Sequence, residues 1–562
     1  MLSRCVQDST LLSPVSVSFG LRCGSSTHGS STALSPQIIG RSIASGYFVI
    51  MLYRRCETLM LSRPIVLSQI LGGIFSGTAL FAVQWMNILC PAWLLPLPAA
   101  TTAIALILAW RKGDAARELI ARSLRFMPQS PGLAWLLWII LLGIALRVLI
   151  SAALPANLVS DSRHYFDLAN KLAVGADYAD PTGRAFYPPG LPIALAPLVA
   201  VFGSAAVLWY DLITFAGTAV ITFVLGTKLV DRRGGLMAAF LIAIWPNFVF
   251  AAPILLKECL LTLLWPAAIY FYLCASGTVS ETRACWFAIL AGGAIGYAAL
   301  TQPSCALLGG CFAIYSLLTV GWRRRTAICV LFAALGAGAV VTPWLIRNYL
   351  VFEAFVPIAT EGGVNFYMVA QRSSDGRWSA NYEIPEALER LTSDELERNR
   401  RGFILGVAEI VDHPAYFLST VVRKPLYIFG QDVKNSYFVF ERGEAGTDEG
   451  YALAYWISGG FYLVIIILIT IFAMRRNYRK DASPVLLLLW MFLLYPIVAH
   501  SLFEAGERHH YAALSIMAIF AAMAMGARVP RKESAERAFR RVVDHGNEQR
   551  IAIYCQADGL AI

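Results

Sequence analysis

Leu133-Ala134-Trp135-Leu136-Leu137-Trp138-Ile139-Ile140-Leu141-Leu142-Gly143-Ile144-Ala145-Leu146-Arg147-Val148-Leu149-Ile150-Ser151-Ala152-Ala153 is followed, across Pro155, by Asn157-Leu158-Val159-Ser160-Asp161-Ser162-Arg163-His164-Tyr165-Phe166-Asp167-Leu168. The first run carries one charge and has the length, about 20 residues, that a helix needs to cross a bilayer. The second turns polar at once. On a helix its Asp161, His164, Tyr165 and Leu168 share one face, at spacings of three, four and seven. A spanning helix that delivers a carboxylate, an imidazole and a phenol to the membrane edge sets the reading of everything around it.

Composition extends that reading to the whole chain. Of 562 residues, 57% are hydrophobic and 15% charged, with a mean hydropathy of +0.60. An aqueous globule cannot cover that much apolar surface, whereas a bilayer accepts it. The same figures exclude disorder, a coiled coil and a disulfide scaffold, so the fold class is an all-α integral membrane protein. Fourteen Trp and 23 Tyr suit interfacial belts. The 11 cysteines are scattered without metal-ligand or CxxC spacing and read as small buried apolar residues.

Hydropathy predicts about twelve spans: 65–88, 92–110, 133–153, 205–229, 235–254, 258–275, 286–301, 303–321, 326–345, 452–474, 484–503 and 510–527. Basic residues then fall on one side: Arg54-Arg55, the stretch 111–125, Arg232-Arg233, Arg323-Arg324-Arg325, Arg475-Arg476, Lys480 and the tail from Arg528. That side is cytoplasmic by the positive-inside rule. The net charge of +10 is therefore a topology signal, and no nucleic-acid partner is needed to account for it.

Two long connectors, 154–204 and 346–451, lie outside. The second holds 16 acidic residues against 11 basic ones, in keeping with that side. Within them 190–203 is too short to span and reads as a re-entrant or surface-lying helix, and 402–429 as an amphipathic helix on the outer leaflet. By domain, 1–63 is a polar, disordered extension for which Met51 and Met60 offer alternative starts. Residues 64–112 form a membrane hairpin, 130–527 the core, and 528–562 a cytoplasmic tail.

Beyond Asp161, the outer ends carry Tyr187-Pro188-Pro189-Gly190, Lys257-Glu258, Ile346-Arg347-Asn348-Tyr349, Glu361-Gly362-Gly363-Val364-Asn365-Phe366-Tyr367 and Gly506-Glu507-Arg508-His509-His510-Tyr511. Taken in this order and on a common side, these stretches resemble the GT-C superfamily of polyprenyl-phosphate-sugar-dependent glycosyltransferases. Within it they are most similar to the protein O-mannosyltransferase-like enzymes of glycosyltransferase family 39, which include bacterial lipid A and lipopolysaccharide sugar transferases. The resemblance covers roughly 130–527. Where the protein mannosyltransferases have Asp-Glu in the first outer loop, this chain has Asp161-Ser162.

The resemblance implies a multi-span GT-C-type bundle with amphipathic outer-surface helices and a mixed outer loop region. It implies transfer of one sugar from a polyprenyl-phosphate donor to a hydroxyl of a glycan, lipid or protein acceptor, as in protein glycosylation or lipopolysaccharide modification. The place would be the periplasmic face of a bacterial inner membrane, among membrane lipids. Asp161 would be the general base of an inverting displacement, and Glu258 would help hold the acceptor or a divalent cation. Arg508, with Lys257 and Arg347, would hold the donor phosphate; His164, Tyr165 and His509 would support.

Plainer readings stand beside each of these. Asp161 is also a fitting N-cap, Lys257-Glu258 a hydrated turn, and Arg508-His509-His510 an interfacial belt beside Tyr511. No metal ligand set is visible in the sequence, and a divalent cation is left as an open alternative. Arg147 is expected to snorkel. Asp211, inside a span, is a functional candidate by default. The rival reading is a transporter or flippase of lipid-linked glycans using Asp211, Glu258 and Arg147 as a polar path, and a lipid-linked glycan ligase or polymerase is a third.

Overall fold

A computed structural model describes residues 64–83, 100–109, 111–112, 115, 133–154, 158, 160–321, 323–372, 374–377, 394–440, 447–474 and 483–526. The chain divides into Met1–Met60 and Leu61–Ile562, and all described residues belong to the second unit. The polar extension, Arg54-Arg55, most of 111–125, Arg475-Arg476, Lys480 and the tail 528–562 lie outside them.

Helices α1 (Pro64–Val83) and α2 (Ala100–Ala109) precede α3 (Leu133–Ala153), α4 (Asp161–Ala173), α5 (Gly190–Phe202), α6 (Ala206–Leu229), α7 (Arg232–Ile244) and α8 (Pro246–Val249). The chain continues through α9 (Lys257–Gly277), α10 (Glu281–Thr301), α11 (Gly310–Thr319), α12 (Arg324–Phe352) and α13 (Gly362–Ala370). Last come α14 (Glu395–Asp412), α15 (Pro414–Phe429), α16 (Lys434–Phe440), α17 (Asp448–Met474), α18 (Val485–Ala499) and α19 (Leu514–Ala524). Among the described residues extended structure is limited to one isolated bridge, Asp180 to Gly183. Among the described residues seven stretches are long and apolar enough to cross a membrane: α1, α3, α5 read through α6, α9, α10, α12 and α17.

Four expected spans take a different form, one of them, 484–503, simply a shorter helix, the 15-residue α18. The run 235–254 ends as α7 at Ile244, because Trp245 is extended and Pro246 opens the four-residue α8; proline cannot continue the ladder of the helix before it. The run 303–321 begins as a 3-10 helix, Pro303–Gly309, before α11. The run 510–527 starts inside a 3-10 turn, Glu507–Ala513, and becomes the 11-residue α19, every residue of which is buried. A helix apolar all round is one enclosed by others. By contrast α3 leaves Trp135, Leu137, Trp138 and Leu149 exposed, as a helix bordering lipid would.

The run 190–203 forms α5, a helix of its own, turned from α6 at Gly203, whose φ of +58° glycine adopts without strain. The amphipathic stretch 402–429 is split at His413-Pro414 into α14 and α15, which leave Ile404, Val407, Val411, Leu418 and Val422 exposed.

Close backbone packing holds α10 against α12. A Cβ on Gly292 would stand 1.8 Å from the Ala333 carbonyl oxygen, and one on Gly336 2.2 Å from that of Ile289. Small residues let helices meet in lipid, where dispersion and not water exclusion draws them together. Gly292→Val is therefore expected to destabilise the bundle by at least about 1–3 kcal/mol. Gly293→Ala, whose Cβ meets nothing nearer than 3.8 Å, should not. Heating both variants in detergent and following the monodisperse fraction checks this, and equal midpoints would contradict the packing argument.

Candidate active site

Asp161 is the first residue of α4. The N-cap is Ser160, at φ 53° and with no side-chain capping bond, so the carboxylate of Asp161 is not occupied as a cap. A left-handed φ at a non-glycine residue is strained, and here the strain sits immediately before the candidate base. Asp161 Oδ2 lies 3.5 Å from Arg508 Nη1.

Glu258 comes from the opposite direction, in the first turn of α9, where the helix dipole favours a carboxylate. It is 2% exposed, and its Oε1 is 3.9 Å from Arg508 Nε. Arg508 itself stands in the 3-10 turn that leads into α19, and its Nη2 donates to both carboxylate oxygens of Glu504, at 3.1 and 3.2 Å. One guanidinium thus meets three carboxylates. Glu504 first, with Glu258 and Asp161 behind it, raises the guanidinium above its ordinary range against the opposing effect of burial.

Glu361, at the start of α13, belongs to the same electrostatic neighbourhood. Burial, reinforced by Asp161 and Glu504 and opposed by Lys257 and Arg508, pushes its carboxyl up to about 7. The ammonium of Lys257, which opens α9, therefore acts on this cluster, although no hydrogen bond fixes it there. Glu361 keeps its proton in the folded chain over a window, about 4.5 to 7, in which the unfolded chain has released it. Stability must then fall as pH rises through that window. Glu507, also pushed up to about 7, chiefly by desolvation, acts in the same sense. Glu361→Gln should flatten part of the decline in thermal midpoint between about pH 5 and pH 8; an unchanged slope would contradict the placement.

The residues expected to support the site are held by contacts of their own. His164 Nδ1 is 2.8 Å from Asp180 Oδ2, and its ring stacks on Tyr187 at 4.9 Å. Buried Tyr165 meets the edge of Tyr187 at 5.3 Å. Together they fasten the Tyr187-Pro188-Pro189-Gly190 turn onto α4. Gly190 is obligatory there, because a Cβ would come within 2.3 Å of Thr301 Oγ1. His509 stacks on His500 at 3.7 Å, and Gln302 Nε2 lies 3.2 Å from His500 and 3.4 Å from His509. A cavity beside Arg508 is lined by Glu258, Trp265, Gln302, Tyr495, His500 and His509.

Other expected residues are placed elsewhere. Arg347 donates to the carbonyls of Arg184 and Tyr178 at 2.8 and 2.9 Å and lies over the Trp344 ring, so its guanidinium ties down the loop between α4 and α5. Arg147 does not snorkel. It is fully buried with Asp211, Nε to Oδ2 3.3 Å, lies over the Phe215 ring at 3.7 Å and donates to the Ala243 and Phe248 carbonyls at the broken end of α7. These two members of the rival polar path neutralise each other inside the bundle. Among the described residues, no three His, Cys, Asp or Glu side chains gather as a metal set. Arg508 stands between the carboxylates where a cation would sit, so this arrangement does not fit one.

Glu504 completes the cluster without having been singled out from sequence, and Glu361, quoted there only as the start of the stretch 361–367, was given no role. The only signal for Glu504 was its place four residues before Arg508, among loop residues of no periodicity.

No family model matches the chain, and no curated protein matches it. Solved structures do overlap with it. The oligosaccharyltransferase AglB from Archaeoglobus fulgidus, in complex with an inhibitory peptide and a dolichol-phosphate, overlaps at 14% identity and a TM-score of 0.44, covering 70% of this chain and 50% of its own. ArnT from Cupriavidus metallidurans bound to undecaprenyl phosphate does so at 13% and 0.38, covering 71% and 78%. The S. cerevisiae protein O-mannosyltransferase Pmt1-Pmt2 complex bound to the sugar donor gives 18% and 0.30, covering 45% and 38%. The chain thus spans about half the length of the archaeal enzyme. At such scores its site has to be read from its own residues.

Proposed function

We propose that this chain is a membrane glycosyltransferase of the GT-C type. It moves a single sugar from a polyprenyl-phosphate donor to a hydroxyl of a glycan, lipid or protein acceptor on the non-cytoplasmic face, which in a bacterium is the periplasmic face of the inner membrane. The observation that carries the reading is the meeting of Asp161, Glu258 and Arg508, contributed by α4, α9 and the turn before α19, around one guanidinium. The expected chemistry needs that set: a carboxylate to take a proton and a cation to receive a leaving phosphate.

In the proposed step the acceptor oxygen attacks the anomeric carbon from the face opposite the phosphate. The carbon–oxygen bond to the phosphate breaks, and its electron pair leaves with the polyprenyl phosphate. Asp161 takes the acceptor's proton. Arg508 exchanges part of its contact with the carboxylates for phosphate oxygens, with Lys257 beside it, and so stabilises charge where it develops. Glu258 and Glu504 keep the guanidinium aimed, and Glu258 also offers an acceptor for a substrate hydroxyl. A one-step displacement inverts the anomeric centre and forms no glycosyl-enzyme, unlike the two-carboxylate retaining route.

The test supplies radiolabelled polyprenyl-phosphate sugars to the purified protein with membrane acceptors. Label covalently in an acceptor, with inverted anomeric configuration, supports the reading. Label moved across a vesicle unchanged, or transfer only from a pyrophosphate-linked oligosaccharide, replaces it by the flippase or the ligase.

A further inference from the structure

Behind Arg508 lies a second polar network that the proposed step does not use. Its centre is Asp432, in the segment between α15 and α16, which is fully buried. Asp432 accepts from Trp245 Nε1 through Oδ2 and from Asn247 Nδ2 through Oδ1, each at 2.5 Å. Oδ1 also lies 3.5 Å from His510 Nε2. The other ring nitrogen of His510 is 2.6 Å from the Ile428 carbonyl oxygen, so both face oxygen acceptors. Asn247 further donates to the Tyr511 hydroxyl and accepts from the Asn435 backbone N–H at 3.0 Å. Glu507 accepts from the Val433 N–H at 2.8 Å.

The geometry of the turn explains what this network does. Glu507–Ala513 is a 3-10 helix, in which residues three apart eclipse and neighbours are turned by about 120°. Glu507 and His510 therefore lie on one side, and both are fastened to the segment 428–433. Arg508, flanked by them, is left to point elsewhere, toward Asp161, Glu258 and Glu504. Trp245 and Asn247 belong to the break between α7 and α8, so the fastening reaches the bundle itself.

We propose that Asp432 is a positioning residue for Arg508: by anchoring on Trp245 and Asn247 the segment 428–433, to which Glu507 and His510 are bonded, it sets the direction from which the guanidinium meets the donor phosphate. The inference rests on the reading of Arg508 as the phosphate ligand. Asp432→Asn turns one accepting oxygen into a donor that faces an existing donor, Trp245 or Asn247, so the segment has to shift. Trp245→Phe removes the single hydrogen bond to Asp432 and keeps an aromatic ring against Phe461, though a smaller one than the buried indole.

The test measures binding of a C55 polyprenyl monophosphate alone to the full-length protein in lipid nanodiscs. Asp432→Asn should weaken binding about tenfold and Trp245→Phe about threefold, while in an Arg508→Lys background Asp432→Asn should add little, since residues acting through one group are not additive. Wild-type affinity in both Asp432→Asn and Trp245→Phe, with Arg508→Ala impaired, would overturn the positioning role alone. Full additivity on Arg508→Lys would overturn it too, as the mark of a merely structural residue. Wild-type affinity in Arg508→Ala would instead remove the phosphate assignment, and the inference with it. Should Asp432→Asn not fold, Trp245→Phe carries the same comparison.

Discussion

Asp161→Asn is expected to lower sugar transfer by about 10²–10⁴-fold, the range a positioned general base contributes, with donor binding and membrane insertion unchanged. The amide keeps the size of the side chain and can still accept a hydrogen bond from Arg508, 3.5 Å away, but it cannot take the acceptor's proton. Because Ser160 and not Asp161 is the N-cap, the substitution removes no helix cap, and the loss should appear in the transfer rate and not in thermal stability. Single-turnover transfer from a labelled donor separates the two. A wild-type rate in this variant would refute the base assignment, and a lowered melting midpoint without a rate defect would return Asp161 to a structural role.

The second large effect is expected at Arg508. Arg508→Ala leaves Glu504 and buried Glu258 without their shared cation and beside Asp161. Removing one partner of a buried ion pair costs about 3–5 kcal/mol, so the variant should be less stable as well as slower. Loss of charge stabilisation at the leaving phosphate adds about 10²–10³-fold in rate. Arg508→Lys separates these contributions. It retains the charge that the three carboxylates need, but an ammonium cannot reproduce a paired contact with phosphate oxygens. The expected result is near-normal stability with weakened donor affinity. Normal affinity in Arg508→Lys would mean that only the charge matters, and equal loss of stability in both variants would mean that the fork geometry is required for folding.

The outer loops show how much of this site local sequence can express. Asp161 at the start of α4, Glu258 in the first turn of α9 and the amphipathic face of 402–429 are local facts. Each depends on a helix's periodicity or on the point where hydropathy gives way to charge, and each was legible. The split of that last stretch at His413-Pro414, and the break after Ile244, follow from prolines visible in the sequence but undervalued beside long apolar runs. Arg347 illustrates the opposite case. The resemblance implied a phosphate ligand there, and the guanidinium meets the carbonyls of Tyr178 and Arg184, distant in sequence.

By itself, then, the sequence determined that the chain is an all-helical membrane protein, and which carboxylates and cations open its outer helices. Composition and period act over one helix at a time, and a bilayer makes both signals strong. Only the tertiary structure decided that Glu504 joins Asp161 and Glu258 on Arg508, that Arg147 and Asp211 neutralise each other, and that Asp432 fastens the turn bearing Arg508. It also decided that α19, as apolar as any span, is enclosed on all sides. Apart from Glu504 and Arg508, which stand four residues apart, those pairings join residues tens to hundreds of positions apart, where no period links one partner to the other. Hydropathy, for its part, has the same value for a residue facing lipid and one facing another helix.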